Sequence, residues 1–228
     1  MKLFKYTSNG GRESNQDYIA VSTHVDERFA AILADGMGGY SNGDIAAQTV
    51  ANDIAACWQS ATNDSDTEKV IIDAFRHANS VLKQKRSKSG MEKMGCVVAS
   101  LFKKDNRLLC AWIGDSRICH FRNGTLLFRS QDHSLISEIS KKRTVTPSDI
   151  ERYSSVVTQA IMGDDSPSTP SIKELSFQTG DIIVLCTDGF HKSFDINIAC
   201  KYDENEKEKI DLLTSKANDN VSFIKIEL

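Results

Sequence analysis

The chain has 228 residues with 28 basic against 31 acidic side chains, a net charge of −3, which allows one sizeable domain and gives no basic footprint for nucleic acid or an anionic membrane. Its longest wholly apolar runs, such as Phe29 to Ala34 and Ile182 to Cys186, are strand-length and fall far short of the roughly 20 residues a membrane helix needs. The six cysteines are scattered, several within apolar runs, and Met1 to Tyr6 lacks the apolar core and cleavage site of an export signal, so the reading is a cytoplasmic protein with reduced, buried thiols.

In chain order, Asp17 to Ser22 and Phe29 to Ala34 read as a strand pair across a polar turn, each short, apolar and bounded by Gly, Asn, Asp or Ser. From Ile45 to Trp58 apolar residues recur at three-to-four spacing, which predicts a helix with Gly43 and Asp44 as start signals. A second helix over Thr67 to Lys85 carries the stripe Ile71, Phe75, Ala78 and Leu82, opened by Ser65 with Glu68 in a capping-box pattern. The basic run Lys83 to Lys88 reads as a solvated cap at the negative end of that helix dipole. Cys96 to Phe102, Arg107 to Ile113 and Ile118 to Phe121 read as a β-meander. Between His133 and Ser171 the pattern is irregular, with a short helix begun by Thr146 and Pro147 and a polar loop from Gly163 to Pro170, as in a mobile insertion over a site. Ile182 to Cys186 is a buried strand, Glu204 to Ser215 a helix and Val221 to Leu228 a final strand. No Pro/Gly/Ser-rich linker divides residues 1–228, so they are read as a single domain.

One pattern repeats: an apolar strand that ends in, or begins from, an aspartate beside Gly or Asn. It occurs at Asn15-Gln16-Asp17, Asp35-Gly36, Gly114-Asp115, Asp188-Gly189 and Asp219-Asn220. Singly, each is ordinary turn chemistry, because Asp bonds its own backbone and Gly takes positive φ. Jointly they suggest more. Carboxylates gathered at one sheet edge repel by about 4 kcal/mol per close pair at an effective dielectric near 20, and such a cluster calls for cations. Oxygen ligands without accompanying His or Cys suit Mg²⁺ or Mn²⁺, and a pair of such ions is the clamp used for phosphoryl displacement. Spacing alone does not establish that the five aspartates share an edge.

Arg12 to Asp17 (RESNQD), Asp35 to Gly39 (DGMGG), Gly114 to Arg117 (GDSR), Asp132 to Ser134 (DHS), Thr187 to Gly189 (TDG) and Asp219-Asn220 together resemble, in order and interval, the motif series of metal-dependent protein serine/threonine phosphatases of the type 2C or PPM family, bacterial type. The resemblance runs from near residue 8 to the C-terminus. It implies an α+β fold, a four-layer αββα sandwich of two antiparallel β-sheets flanked by helices, with metals at one end and a flap-like insertion at about 135–171. It also implies that Asp35 bridges two metals (Mn²⁺ or Mg²⁺) with the Gly36 carbonyl holding one of them. Asp188 and Asp219 complete the other site, and Asp17 ligates or orients water. Asp115, with Asp188, matches a third, weaker site, the alternative being a loop brace tied to Ser116 or Arg117. Arg12 is the expected grip on the substrate phosphate through its planar fork. The implied reaction is direct attack of a metal-bridging hydroxide on phosphoserine or phosphothreonine, with Arg12, Asp17 and Asp35 as catalytic residues. The expected partners are phosphorylated proteins and a serine/threonine protein kinase, met in solution by a monomer.

The series departs from the family in places. Met37 stands where animal members carry a histidine proposed as general acid, Gln159 stands where an arginine is common, and Phe190 to Asp195 lacks the usual acidic continuation after TDG. His133 reads as a structural part of its turn. Two rivals use the same residues: a two-metal phosphodiesterase, which the near-neutral charge disfavours, and a catalytically silent module that binds phosphoproteins. A cysteine phosphatase is excluded because no cysteine stands six positions before an arginine, and neither a Walker motif nor G-x-G-x-x-G is complete.

Overall fold

The computed structural model describes residues 1–24, 28–37, 42–62, 65–89 and 94–228. Two five-stranded sheets are present, antiparallel at every pairing. One contains, in spatial order, β1 (Lys2–Ser8), β10 (Val221–Glu227), β9 (Ile182–Cys186), β6 (Arg117–Arg122) and β7 (Thr125–Arg129); the other contains β2 (Asp17–Thr23), β3 (Phe29–Gly36), β4 (Cys96–Lys104), β5 (Arg107–Ile113) and β8 (Ser171–Glu174). The helices are α1 (Gly43–Ser60), α2 (Thr67–Ser89), α3 (Leu135–Ser140), α4 (Pro147–Tyr153), α5 (Asp188–Ser193), α6 (Asn197–Lys201) and α7 (Lys207–Thr214).

The layering follows from alternation along the strands. On β3, Phe29, Ala31 and Leu33 point between the sheets and meet Leu101, Ile118, Leu185 and Ile224. Ala30, Ile32 and Ala34 point outward onto α1 and α2, against Val50, Ile54 and Phe75. β3 is apolar on both sides because both its faces are covered. On the other sheet, Val184, Cys186 and Phe223 turn outward to Phe190, Ala199 and Ile210 of α5, α6 and α7. The result is the αββα sandwich implied by the resemblance, with three cores separated by the two sheets.

Several elements differ from the sequence reading. β4 and β5 pair, but β6 crosses to the other sheet and pairs with β7 and β9, so the three strands do not form a meander. The α2 N-terminus is held by Asp66, whose Oδ1 accepts from Glu68 N at 3.1 Å, while the Ser65 hydroxyl bonds Thr62 at 2.7 Å. At α4 the expected Thr146 start is present as a full capping box with Asp149. The basic run lies inside the last turns of α2, and two of its members dock a loop: Lys83 pairs with Asp165, and Arg86 donates to the Met162 carbonyl and pairs with Asp164 at 3.7 Å. Asn79 completes that anchor, accepting from Gly163 N at 2.9 Å and donating to Asp164 O at 2.8 Å. Together with the Cys96–Ile161 bridge, this ties the far end of the insertion to the body of the protein. Among the described residues, no helix is long and apolar enough to cross a membrane.

Candidate active site

The antiparallel register brings the repeated aspartates to one end of the sandwich. β2 begins, β3 ends, β5 ends, β9 ends and β10 begins there, and Asp17 stands directly opposite Asp35 across the β2–β3 pair. They surround a cleft of about 680 Å³ whose lining includes Arg12, Asp35, Gly36, Asp115, Asp188 and Asp219, with Ser155 and Val157 contributed by the insertion. The structure thus places Asp35, Gly36, Asp115, Asp188, Asp219 and Arg12 on one surface, with Asp17 behind Asp35 in the strand pair.

This is an electrostatically loaded place. Asp17 is pushed up to about 7, first by burial and then by the charge of Asp188, with Ser222 and Thr187 relieving part of the shift. Burial also raises Asp35 well above the ordinary carboxylate range, and Asp17, Asp188 and Asp115 add to it. Asp115 rises to about 6 through burial and the Asp188 charge, against the opposing pull of Lys192. Burial works against Asp188 too, but Lys192, whose Nζ lies 2.7 Å from Asp188 Oδ2, holds it below its usual value. Charges this close favour protonation of one another unless a cation enters. Asp17 Oδ1 is fully buried and has no hydrogen-bond partner among the described residues. An orphaned carboxylate oxygen costs its full desolvation penalty, so its orientation asks for an electropositive neighbour.

Arg12 and Asp219 are paired with each other, Nη2 to Oδ2 and Nε to Oδ1 both at 3.0 Å, with about half of the arginine side chain exposed. The loop that carries Arg12 is held down by Asn220. Its Oδ1 accepts from Gln16 N at 2.9 Å, and its Nδ2 donates to Asn9 O at 3.0 Å and Ser14 O at 2.8 Å. Gly10 in this loop has φ +56°, and a Cβ there would meet the Asp219 carbonyl oxygen at 2.0 Å, so only glycine allows the approach. Gly36 is equally constrained: a Cβ would lie 2.3 Å from the Gly43 carbonyl oxygen. Thr187, fully buried, donates to Asp17 Oδ2 at 3.3 Å and accepts from Ser222 N at 3.0 Å, fixing Asp17 from the facing sheet.

Asp115 is not the brace considered from the sequence. Arg117 clamps Asp132 instead, through Nε at 2.9 Å and Nη2 at 2.7 Å, whereas the Asp115 carboxylate faces Lys192 Nζ at 3.6 Å. The Asp115 backbone carbonyl accepts from His191 Nε2 at 2.9 Å, and burial lowers that imidazole to about 4. His191 and Lys192 both come from α5, and they give the unusual sequence after TDG a use. Lys192 puts an ammonium between Asp115 and Asp188. Sequence reasoning gave these two residues no role, and it met Asn220 and Thr187 only as motif members without one. His133 has the structural part expected of it: Nδ1 accepts from Gly114 N at 3.1 Å, Nε2 contacts Ser171 Oγ at 3.0 Å, and the ring stacks on Trp112. Met37 lines the cleft. Gly38 and Gly39 of DGMGG lie outside the described residues.

A family model described as Protein phosphatase 2C matches residues 9–211. The chain belongs to that family. Among curated relatives, Protein phosphatase PhpP of Streptococcus pneumoniae is 32% identical over 184 residues, covering 78% of this chain and 74% of the relative. Among solved structures, the Streptococcus agalactiae serine/threonine phosphatase aligns over 100% of this chain and 99% of its own with a TM-score of 0.81 at 26% identity. The catalytic domain of the serine/threonine phosphatase PstP, solved with two manganese ions, shares the fold at TM-score 0.81 and 23% identity, covering 99% of this chain and 97% of that one.

Proposed function

We propose that this chain is a metal-dependent protein serine/threonine phosphatase that hydrolyses phosphoserine and phosphothreonine monoesters in the cytoplasm, as a single-domain monomer. The observation that carries the reading is the convergence of buried and half-buried carboxylates from both sheets on one cleft, with Asp17 Oδ1 lacking a hydrogen-bond partner among the described residues. The donor set is all oxygen, which fits Mn²⁺ or Mg²⁺. Asp35 with the Gly36 carbonyl would hold one ion and Asp188 with Asp219 the other, Asp35 reaching both and Asp17 standing beside them. When bound, two such ions neutralise the carboxylates, acidify water and draw charge from the phosphoryl group.

The remaining work falls to this chain's own side chains. Arg12 presents a planar fork at the cleft rim that suits phosphate oxygens, and Asn220 keeps its loop in place. Thr187 orients Asp17. Among the described residues that line the cleft there is no imidazole to protonate the departing serine or threonine oxygen, and Met37 stands where animal members of the family carry one. Lys192 supplies a tethered positive charge to Asp115 and Asp188 and competes there with the third, weaker metal that the resemblance implied. The phosphorylated products of a serine/threonine kinase, or the kinase itself, are the substrates this reading implies.

The test is substrate choice. With Mn²⁺ present, a phosphothreonine peptide should be hydrolysed far faster than a phosphodiester such as bis(p-nitrophenyl) phosphate. Preference for the diester would favour the phosphodiesterase, and phosphopeptide binding without turnover would favour the silent module.

A further inference from the structure

Away from the cleft, three side chains of different chemistry converge on the paired helices α1 and α2. Asp53 and Cys57 stand four residues apart on α1, the spacing that puts side chains on one face, and His77 reaches them from α2. His77 Nδ1 lies 2.8 Å from Asp53 Oδ2 and 3.6 Å from Cys57 Sγ, and Cys57 Sγ lies 3.9 Å from the same carboxylate oxygen. One ring nitrogen therefore faces both partners. A proton relay through histidine would use its two nitrogens on opposite partners. The thiol is no nucleophile either, since burial and then the Asp53 charge push it up to about 11.

The geometry points to a transition-metal site for Zn²⁺, held by Asp53 Oδ2, Cys57 Sγ and His77 Nδ1. A tetrahedral zinc ion with ordinary bond lengths keeps its donors about 3.4–3.6 Å apart. The two separations to sulfur, 3.6 and 3.9 Å, already match within a few tenths of an ångström. The nitrogen–oxygen pair, at 2.8 Å, has to open by about 0.6 Å, and the His77 side chain, 60% exposed, has room to swing. Three protein donors leave the fourth position to water. The mixed N, S, O set selects zinc over the hard ions suited to the oxygen-only cleft, so the two places sort metals by chemistry. An ion here would staple α1 to α2, whose packing covers the outer core.

The experiment is a titration of the full chain with Co²⁺, read in the near ultraviolet, where a thiolate bound to Co²⁺ gives a charge-transfer band and an oxygen-only site gives none. The expected result is a band that saturates at one equivalent, is displaced by Zn²⁺, disappears in Cys57→Ser, is lost or much weakened in His77→Gln, and persists in Asp35→Asn. With Mn²⁺ filling the cleft, added Zn²⁺ should also raise the unfolding temperature of the wild type by more than that of Cys57→Ser. No band in the wild type, or a band of unchanged strength in Cys57→Ser, overturns the site.

Discussion

Asn220 shows how much of the cleft depends on a residue that carries no charge. Its side chain makes three hydrogen bonds to the backbone of residues 9–16, the segment that carries Arg12. Asn220→Ala leaves one amide and two carbonyls to find other partners, and it is expected to cost about 1–3 kcal/mol, measured by urea unfolding. Because it loosens the loop proposed to hold phosphate rather than the carboxylates, KM for a phosphopeptide should rise more than kcat falls. Lys192 makes a second prediction. With its ammonium between Asp115 and Asp188, the wild type should bind two Mn²⁺ ions, whereas Lys192→Met, which removes that ammonium and leaves the two carboxylates uncompensated, should gain a third. Counting bound Mn²⁺ by electron paramagnetic resonance decides it, and three ions in the wild type would contradict the assignment. The aspartates were legible in the sequence because each lies at a strand end with Gly or Asn close by, and Arg12 only through the resemblance of RESNQD to the family motif. Asn220, Thr187, His191 and Lys192 were not, because their partners are set by which strands lie side by side, and no local pattern encodes that.

The elements were legible where burial imposes a period and obscure where it does not. β3, β5, β9 and α1 bury regular apolar sets and were readable nearly to their ends. β7 is mostly exposed and has no inward stripe, although Asn123-Gly124, with φ of 50° and 75°, is a strong hairpin signal that points to it. The short β8, α3, α5 and α6 carry too few residues for periodicity to register. The crossing of β6 to the second sheet was invisible, since a strand reads the same whichever neighbour it pairs with. In the insertion, the helix start at Thr146 and Pro147 was legible, while the anchoring of residues 162–165 by Asn79, Lys83 and Arg86 depends on tertiary contact. Ser155 and Val157 are where this insertion meets the cleft. Val157→Asp should therefore raise KM for a phosphothreonine peptide several-fold and leave hydrolysis of p-nitrophenyl phosphate within about twofold, because the small ester needs no contact beyond the phosphate subsite. Equal losses on both substrates would argue against a role of the insertion in selection.

For the whole molecule, the carboxylates at one end and the ion pairs at the other pull stability in opposite directions with pH. Asp17 is raised to about 7 and Asp115 to about 6 in the folded chain. Groups raised on folding stabilise fully below their unfolded values and lose that contribution as pH climbs through the folded ones. Asp181, buried with His120 at 2.8 Å and Arg122 at 2.8 Å, is held low and behaves the other way, losing its contribution as pH falls into the acid range. The chelated protein should therefore unfold at a temperature several degrees lower at about pH 8 than at about pH 6, and Mn²⁺ should recover most at the higher pH. Asp181→Ala, which strands His120 and Arg122, should cost about 3–5 kcal/mol without changing metal stoichiometry, separating the fold's needs from those of the cleft. The most direct test of the proposed cation-dependent phosphatase centre is hydrolysis of a phosphothreonine peptide against Mn²⁺ concentration for wild type and Asp35→Asn. The prediction is activity that rises with Mn²⁺, is abolished by chelator, and falls by two orders of magnitude or more in a folded Asp35→Asn. Turnover that survives chelation, or an Asp35→Asn variant as active as the wild type, would contradict it.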